Sequence, residues 1–90
     1  MPASSEQVVT LPVDLHARPA GALARVALRY ESRMTLVAGE KTVDAKSILK
    51  LLTLGATAGT SVRVTAEGAD AEAALAAVAG CLLNAGTAQT

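Results

Sequence analysis

The sequence predicts an α+β fold in which helices cover one side of an antiparallel sheet. Three observations carry this reading. Strand-like and helix-like periodicities follow one another in the order β-α-β-β-α-β-α. The segment SVRVTAE at 61–67 alternates strictly, with Val62, Val64 and Ala66 on one face and Arg63, Thr65 and Glu67 on the other. Such alternation marks a strand with one buried and one wet face. Every strand-like segment keeps a polar face, so the helices are expected to share the opposite one.

Taken in order, Glu6–Leu11 (EQVVTL) is rich in β-branched residues and stops at Pro12, which reads as the first strand. From Ala17 to about Tyr30, Ala20, Leu23, Ala24, Ala27 and Tyr30 recur at three- and four-residue spacing, one face of an amphipathic helix. Arg25 and Arg29 fall toward its wetter side. Met34–Ala38 and Lys41–Asp44 are short strands joined by Gly39-Glu40, a pair suited to a tight hairpin. Ser47 to about Leu54 is helical, with Gly55 as its C-terminal cap. Beyond Gly68, Asp70 caps a last helix from Ala71 to about Asn84, closed by Gly86, with Ala71, Leu75, Val78, Ala79 and Leu82 as its buried stripe. The tails, Met1–Ser5 and Thr87–Thr90, are expected to fray. Residues 1–90 then form a single domain with an ordered core of about 6–86.

Composition narrows the function. The 90 residues are 51% apolar, with Tyr30 the only aromatic, so the core is aliphatic. Eight basic and eight acidic side chains cancel, which gives no general attraction for nucleic acid or anionic membranes. Without aromatic side chains to stack on bases, single-stranded nucleic acid is also disfavoured. Cys81 stands alone in an apolar run and reads as a small buried hydrophobe, with neither a disulfide nor a metal site available. No secretory signal opens the chain, and the longest apolar run is too short to span a bilayer. A cytoplasmic protein without metal or cofactor is the expectation.

The chemistry concentrates at Asp14-Leu15-His16-Ala17-Arg18-Pro19-Ala20, which holds the only histidine. Histidine changes protonation near neutral pH, and this one sits where a helix begins. A helix N-terminus offers unpaired N–H groups and partial positive charge, both suited to an anion the size of phosphate. Pro19 suits the first helical turn, where its missing N–H costs nothing. Arg18 can meet phosphate oxygens with two parallel bonds, which lysine would not reproduce. Together these groups read as a histidine that carries phosphate. Ser47 precedes the short second helix, where serine commonly serves as N-cap. Ile48, Leu49 and Leu52 cannot all turn inward on a two-turn helix whose Leu51 and Leu54 are also apolar, so a surface patch is expected there.

Three stretches in order, LHARPA at 15–20, KSILKLLTLG at 46–55 and EGADAEAALAAV at 67–78, resemble HPr, the histidine-containing phosphocarrier family of the phosphoenolpyruvate-dependent sugar phosphotransferase system. The resemblance runs from about Val8 to about Leu83. It implies an open-faced β-sandwich, a four-stranded antiparallel sheet with three helices on one side. It implies that His16 accepts phosphate on Nδ1 from phosphoenolpyruvate-charged enzyme I and passes it to sugar-specific IIA proteins. On the same resemblance Arg18 stabilises the phosphate and the Ala17 backbone N–H binds it. Ala20, Ile48, Leu49 and Leu52 match the partner-contacting surface, flanked by Arg25 and Lys50. Ser47 matches a serine that a dedicated HPr kinase/phosphorylase modifies in some bacteria. The family further implies a monomeric carrier without independent turnover. Asp14 departs from the pattern, because HPr proteins commonly have glycine two residues before the histidine. A carboxylate there is expected to oppose incoming phosphate. Two other readings stay open: an HPr-like regulator of a nitrogen-type or dihydroxyacetone-kinase relay, or a binding module that controls a transcription factor or enzyme through its apolar patch.

Overall fold

The computed structural model describes residues 4–85. Their elements run β1 (Ser4–Thr10), α1 (Ala17–Ala27), β2 (Arg33–Ala38), β3 (Lys41–Asp44), α2 (Ile48–Leu54), β4 (Ser61–Glu67) and α3 (Ala71–Leu83). The four strands form one antiparallel sheet in the order β1-β4-β2-β3. β4 therefore sits between β1 and β2 although it comes last in sequence. Its alternation accounts for the buried and the wet face, while its two neighbours come from pairing with the distant segments β1 and β2.

Val9, Met34, Leu36, Val43, Val62, Val64 and Ala66 point into the core. Leu23, Leu51, Leu82 and Val78 meet them from the three helices. α3 packs across β1 and β4, α2 against β3, and α1 between the two other helices. The open face carries Glu6 and Arg63, paired at 3.7 Å, and Thr35 hydrogen-bonded to Thr65. At the hairpin between β2 and β3, Ala38 pairs with Lys41, and Gly39 takes a φ of 60° that suits a two-residue turn. All of the expected elements are present in the expected order.

Several boundaries differ from expectation. Ser4 and Ser5 belong to β1, paired with Glu67 and Ala66. Leu11 lies past the strand, buried and bonded through its N–H to the Thr60 carbonyl at 2.9 Å. α1 stops at Ala27, with Leu28 as its C-cap, and the chain tightens through Arg29 N–H to Val26 O and Tyr30 N–H to Ala27 O. Tyr30, beyond the end of the helix, still packs on the core, and its carbonyl accepts from Lys46 Nζ at 2.7 Å. α3 ends with Asn84 as C-cap, and the expected closing Gly86 lies outside the described residues, as do Met1–Ala3 and Thr87–Thr90. Cys81 is half-buried against the core edge, and that burial raises its thiol pKa.

Asp70 corrects a second expectation. It occupies the N-cap position of α3 but makes no side-chain cap bond to that helix. Its carboxylate instead accepts from the N–H groups of Glu31 and Ser32, at 3.0 and 2.9 Å, and from the Ser32 hydroxyl. Ser32 is the buried polar side chain of the core, and a buried hydroxyl needs such a partner. These bonds, that from the Ser32 hydroxyl foremost and the Glu31 amide next, hold the Asp70 carboxyl below the usual carboxylate range, against the effect of desolvation.

Candidate functional site

His16 is the N-cap of α1, with extended backbone angles of φ −93° and ψ −166°. Its imidazole is exposed and makes no cap bond, nor any other hydrogen bond among the described residues. The ring therefore does not cap the helix whose N-cap position the residue occupies. Its carbonyl accepts from Ala20 N–H at 2.9 Å, the first bond of the helix. The amides of Ala17 and Arg18 meet no acceptor among the described residues, and Pro19 has none to offer. Arg18 is exposed, and its guanidinium is free of ion pairs among those residues. The arrangement presents one unengaged ring nitrogen pair, one unengaged guanidinium and two unengaged amides, all directed by the same helix start. No carboxylate occurs within α1 or α2, so nothing on either helix offsets the cations Arg18, Arg25 and Lys50.

The loop that delivers His16 is held from a distant stretch of chain. Leu15 is buried, and its N–H donates to the Ala56 carbonyl at 2.9 Å. Leu11 and the loop at 59–60 exchange two bonds, Leu11 N–H to Thr60 O at 2.9 Å and Gly59 N–H to Leu11 O at 2.8 Å. Asp14 adds a side-chain tie, its Oδ1 accepting from Ala58 N–H at 2.8 Å. The carboxylate expected to face the phosphate site is therefore engaged with the 56–60 loop. Nothing in the local sequence identifies Ala56–Thr60 as the brace, since the partners lie 44 residues apart in the Asp14 bond.

Helix α2 packs against α1 and carries the apolar patch. Leu49 is 76% exposed, Ile48 45% and Leu52 39%, whereas Leu51 and Leu54 are buried. Arg25 and Lys50 are exposed, as expected. Ala20 is not on this surface: it lies on the buried face of α1, in the stripe of Leu23, Ala24 and Ala27. Leu28, 62% exposed at the C-cap of α1, was not anticipated, since it breaks the helical stripe. Ser47 caps α2, its Oγ accepting from Lys50 N–H at 3.2 Å. Gly55 closes the same helix at a φ of 66°, a left-handed turn that steers the chain into the 56–60 brace. Among the described residues no group of three His, Cys, Asp or Glu side chains is placed to hold a metal ion, and no helix is long and apolar enough to cross a membrane.

Comparison with known proteins agrees with this geometry. A family model described as the phosphorylation site of the HPr component of the phosphotransferase system matches residues 3–84. The phosphocarrier protein HPr of Mycoplasma capricolum is 38% identical over 71 residues, covering 79% of this chain and 80% of that protein. The HPr of Mycoplasma genitalium is 41% identical over 78 residues, 86% of this chain and 89% of that protein. The crystal structure of HPr from Bacillus anthracis superposes with a TM-score of 0.84 at 34% identity, covering 89% of this chain and 98% of that one. With a family model matched over residues 3–84 and relatives of this identity and coverage, the chain belongs to the HPr family of phosphocarriers of the phosphotransferase system.

Proposed function

We propose that His16 is the phosphoryl acceptor of this carrier, taking the group from phosphoenolpyruvate-charged enzyme I and passing it to IIA proteins for sugar uptake. The observation that carries this reading is the exposed imidazole at the start of α1, free of hydrogen bonds, next to the unpartnered amides of Ala17 and Arg18. In the transfer, the lone pair of the unprotonated Nδ1 forms the new P–N bond as the donor's bond to phosphorus breaks. The donor keeps the bonding pair, so no proton has to move in that step. Negative charge spreads over three equatorial oxygens, where amide dipoles and the Arg18 fork stabilise it without reorganising. The chain acts as a carrier without turnover of its own, as a single cytoplasmic, monomeric domain.

Partner docking falls to the exposed leucines of α2, with Arg25 and Lys50 steering acidic partners. Ser47 is the candidate for regulatory phosphorylation by an HPr kinase. Phosphate there would replace the present cap bond to Lys50 N–H with a stronger anionic cap and place charge beside the docking patch. The decisive experiment charges the protein with phosphoenolpyruvate and the host's enzyme I and maps the modified residue. His16→Ala keeps its fold and takes up no acid-labile phosphate. Uptake by the His16→Ala variant would overturn the assignment.

A further inference from the structure

We infer that Asp14 is a positioning residue whose carboxylate latches the His16 loop to the 56–60 loop, and that a phosphoryl group on His16 opens this latch. The inference rests on the reading of His16 as acceptor. Between the backbone bonds at Leu11 and Leu15, Pro12 lacks a donor, and the Asp14 side chain supplies the tie that spans to Ala58. The bond is charge-assisted yet exposed, so it is weak enough to exchange for water when conditions change. No cation pairs with Asp14 among the described residues, where the ion pair is that of Arg63 with Glu6. Its charge is therefore open to whatever appears two residues further along.

A phosphoryl group brings about −1.5 to −2 charges near neutral pH. Like charges at neighbouring loop positions repel, and the backbone bonds of Leu11 and Leu15 keep His16 from moving away. The free end of this system is the Asp14 side chain, which swings to solvent and releases Ala58 N–H. Charged and uncharged carriers then present different 56–60 surfaces beside the same histidine. Glycine at position 14 could not make the distinction, since it has no side chain to release.

Amide exchange at Ala58, followed by NMR in wild type, Asp14→Asn and Asp14→Gly before and after charging with phosphoenolpyruvate and enzyme I, tests this. In the uncharged state Asp14→Gly loses Ala58 protection by on the order of tenfold, while Asp14→Asn retains it, because the amide oxygen still accepts. On charging, Ala58 in the wild type falls to the Asp14→Gly level, and in Asp14→Asn, whose acceptor carries no charge, it changes little. Equal protection in uncharged wild type and Asp14→Gly would remove the latch. Unchanged Ala58 in the charged wild type, or an equal fall in Asp14→Asn, would remove the switch while leaving His16 as acceptor. Failure of the wild type to take phosphate at all would instead remove the acceptor reading, and the switch with it.

Discussion

Ser32 shows at the scale of one residue how a polar group is kept in an aliphatic core. Its hydroxyl and its N–H both donate to Asp70, and the backbone of Gly68 lies directly against it. Gly68 has a φ of 145°, and a Cβ there would stand 2.6 Å from Ser32 Oγ and 2.9 Å from its Cα. Gly68→Ala is therefore expected to cost at least about 1–3 kcal/mol from backbone strain alone, read by urea denaturation. Asp70→Ala leaves buried donors of Ser32 without an acceptor and lowers the melting temperature. Because folding depresses the Asp70 carboxyl, its contribution is present above the ordinary carboxylate range and is lost as pH falls from that range through the depressed value below it. Acid unfolding curves recorded downward from about pH 5 should thus be steeper for the wild type than for Asp70→Ala. A coincident pair of curves would show that the carboxylate is not linked to folding. The EGAD motif identified the start of α3 but not this role, since Asp70 serves a loop 38 residues upstream of it.

At the scale of an element, α2 divides its leucines between two tasks. Leu51 is fully buried, and Leu51→Ala is expected to cost about 2–5 kcal/mol of stability, as large-to-small core changes do. Leu49 is exposed, so Leu49→Glu leaves the melting temperature nearly unchanged and weakens binding to enzyme I by about 1–3 kcal/mol. Calorimetry of unfolding and of binding on both variants separates the roles, and a destabilised Leu49→Glu with normal affinity would place Leu49 in the core. The split was legible because a two-turn helix cannot bury five apolar positions. Ala20 is the converse case: the resemblance implies contact with a partner, while its place in the α1 stripe requires burial. The helix ends were the least legible feature. Tyr30 fits the period of α1, yet Lys46, sixteen residues on, takes its carbonyl.

For the whole molecule, a net charge of zero conceals an uneven layout. Helices α1 and α2 carry three cations and no carboxylate, the strands balance Arg33, Lys41 and Arg63 against Glu6, Asp44 and Glu67, and the surplus of acid lies in the loops and at the start of α3. Association with an acidic partner is expected to slow as salt rises, because steering fades beyond a Debye length of about 10 Å at 0.1 M. Arg25→Ser should reduce both the association rate and its salt dependence, with little change in dissociation, as stopped-flow mixing with enzyme I would reveal. A variant that alters dissociation instead would make Arg25 a contact rather than a guide. Layer order and the one-sided helices were readable from periodicity, whereas the central position of β4 was not, because strand order depends on pairings between distant segments.

The stitching of residues 11–15 to 56–60 has a consequence for biosynthesis. A chain leaving the ribosome displays His16, Arg18 and Pro19 long before Ala56, Ala58 and Thr60 exist to brace them. Contacts of such wide sequence separation form late, since loop closure must be met before they stabilise anything. Half-made or misfolded copies would therefore hold the reactive residues without their frame. The geometry of the His16 loop is thus a property of the finished fold and not of its own segment, since the bonds that hold Leu11, Asp14 and Leu15 come from residues 56–60.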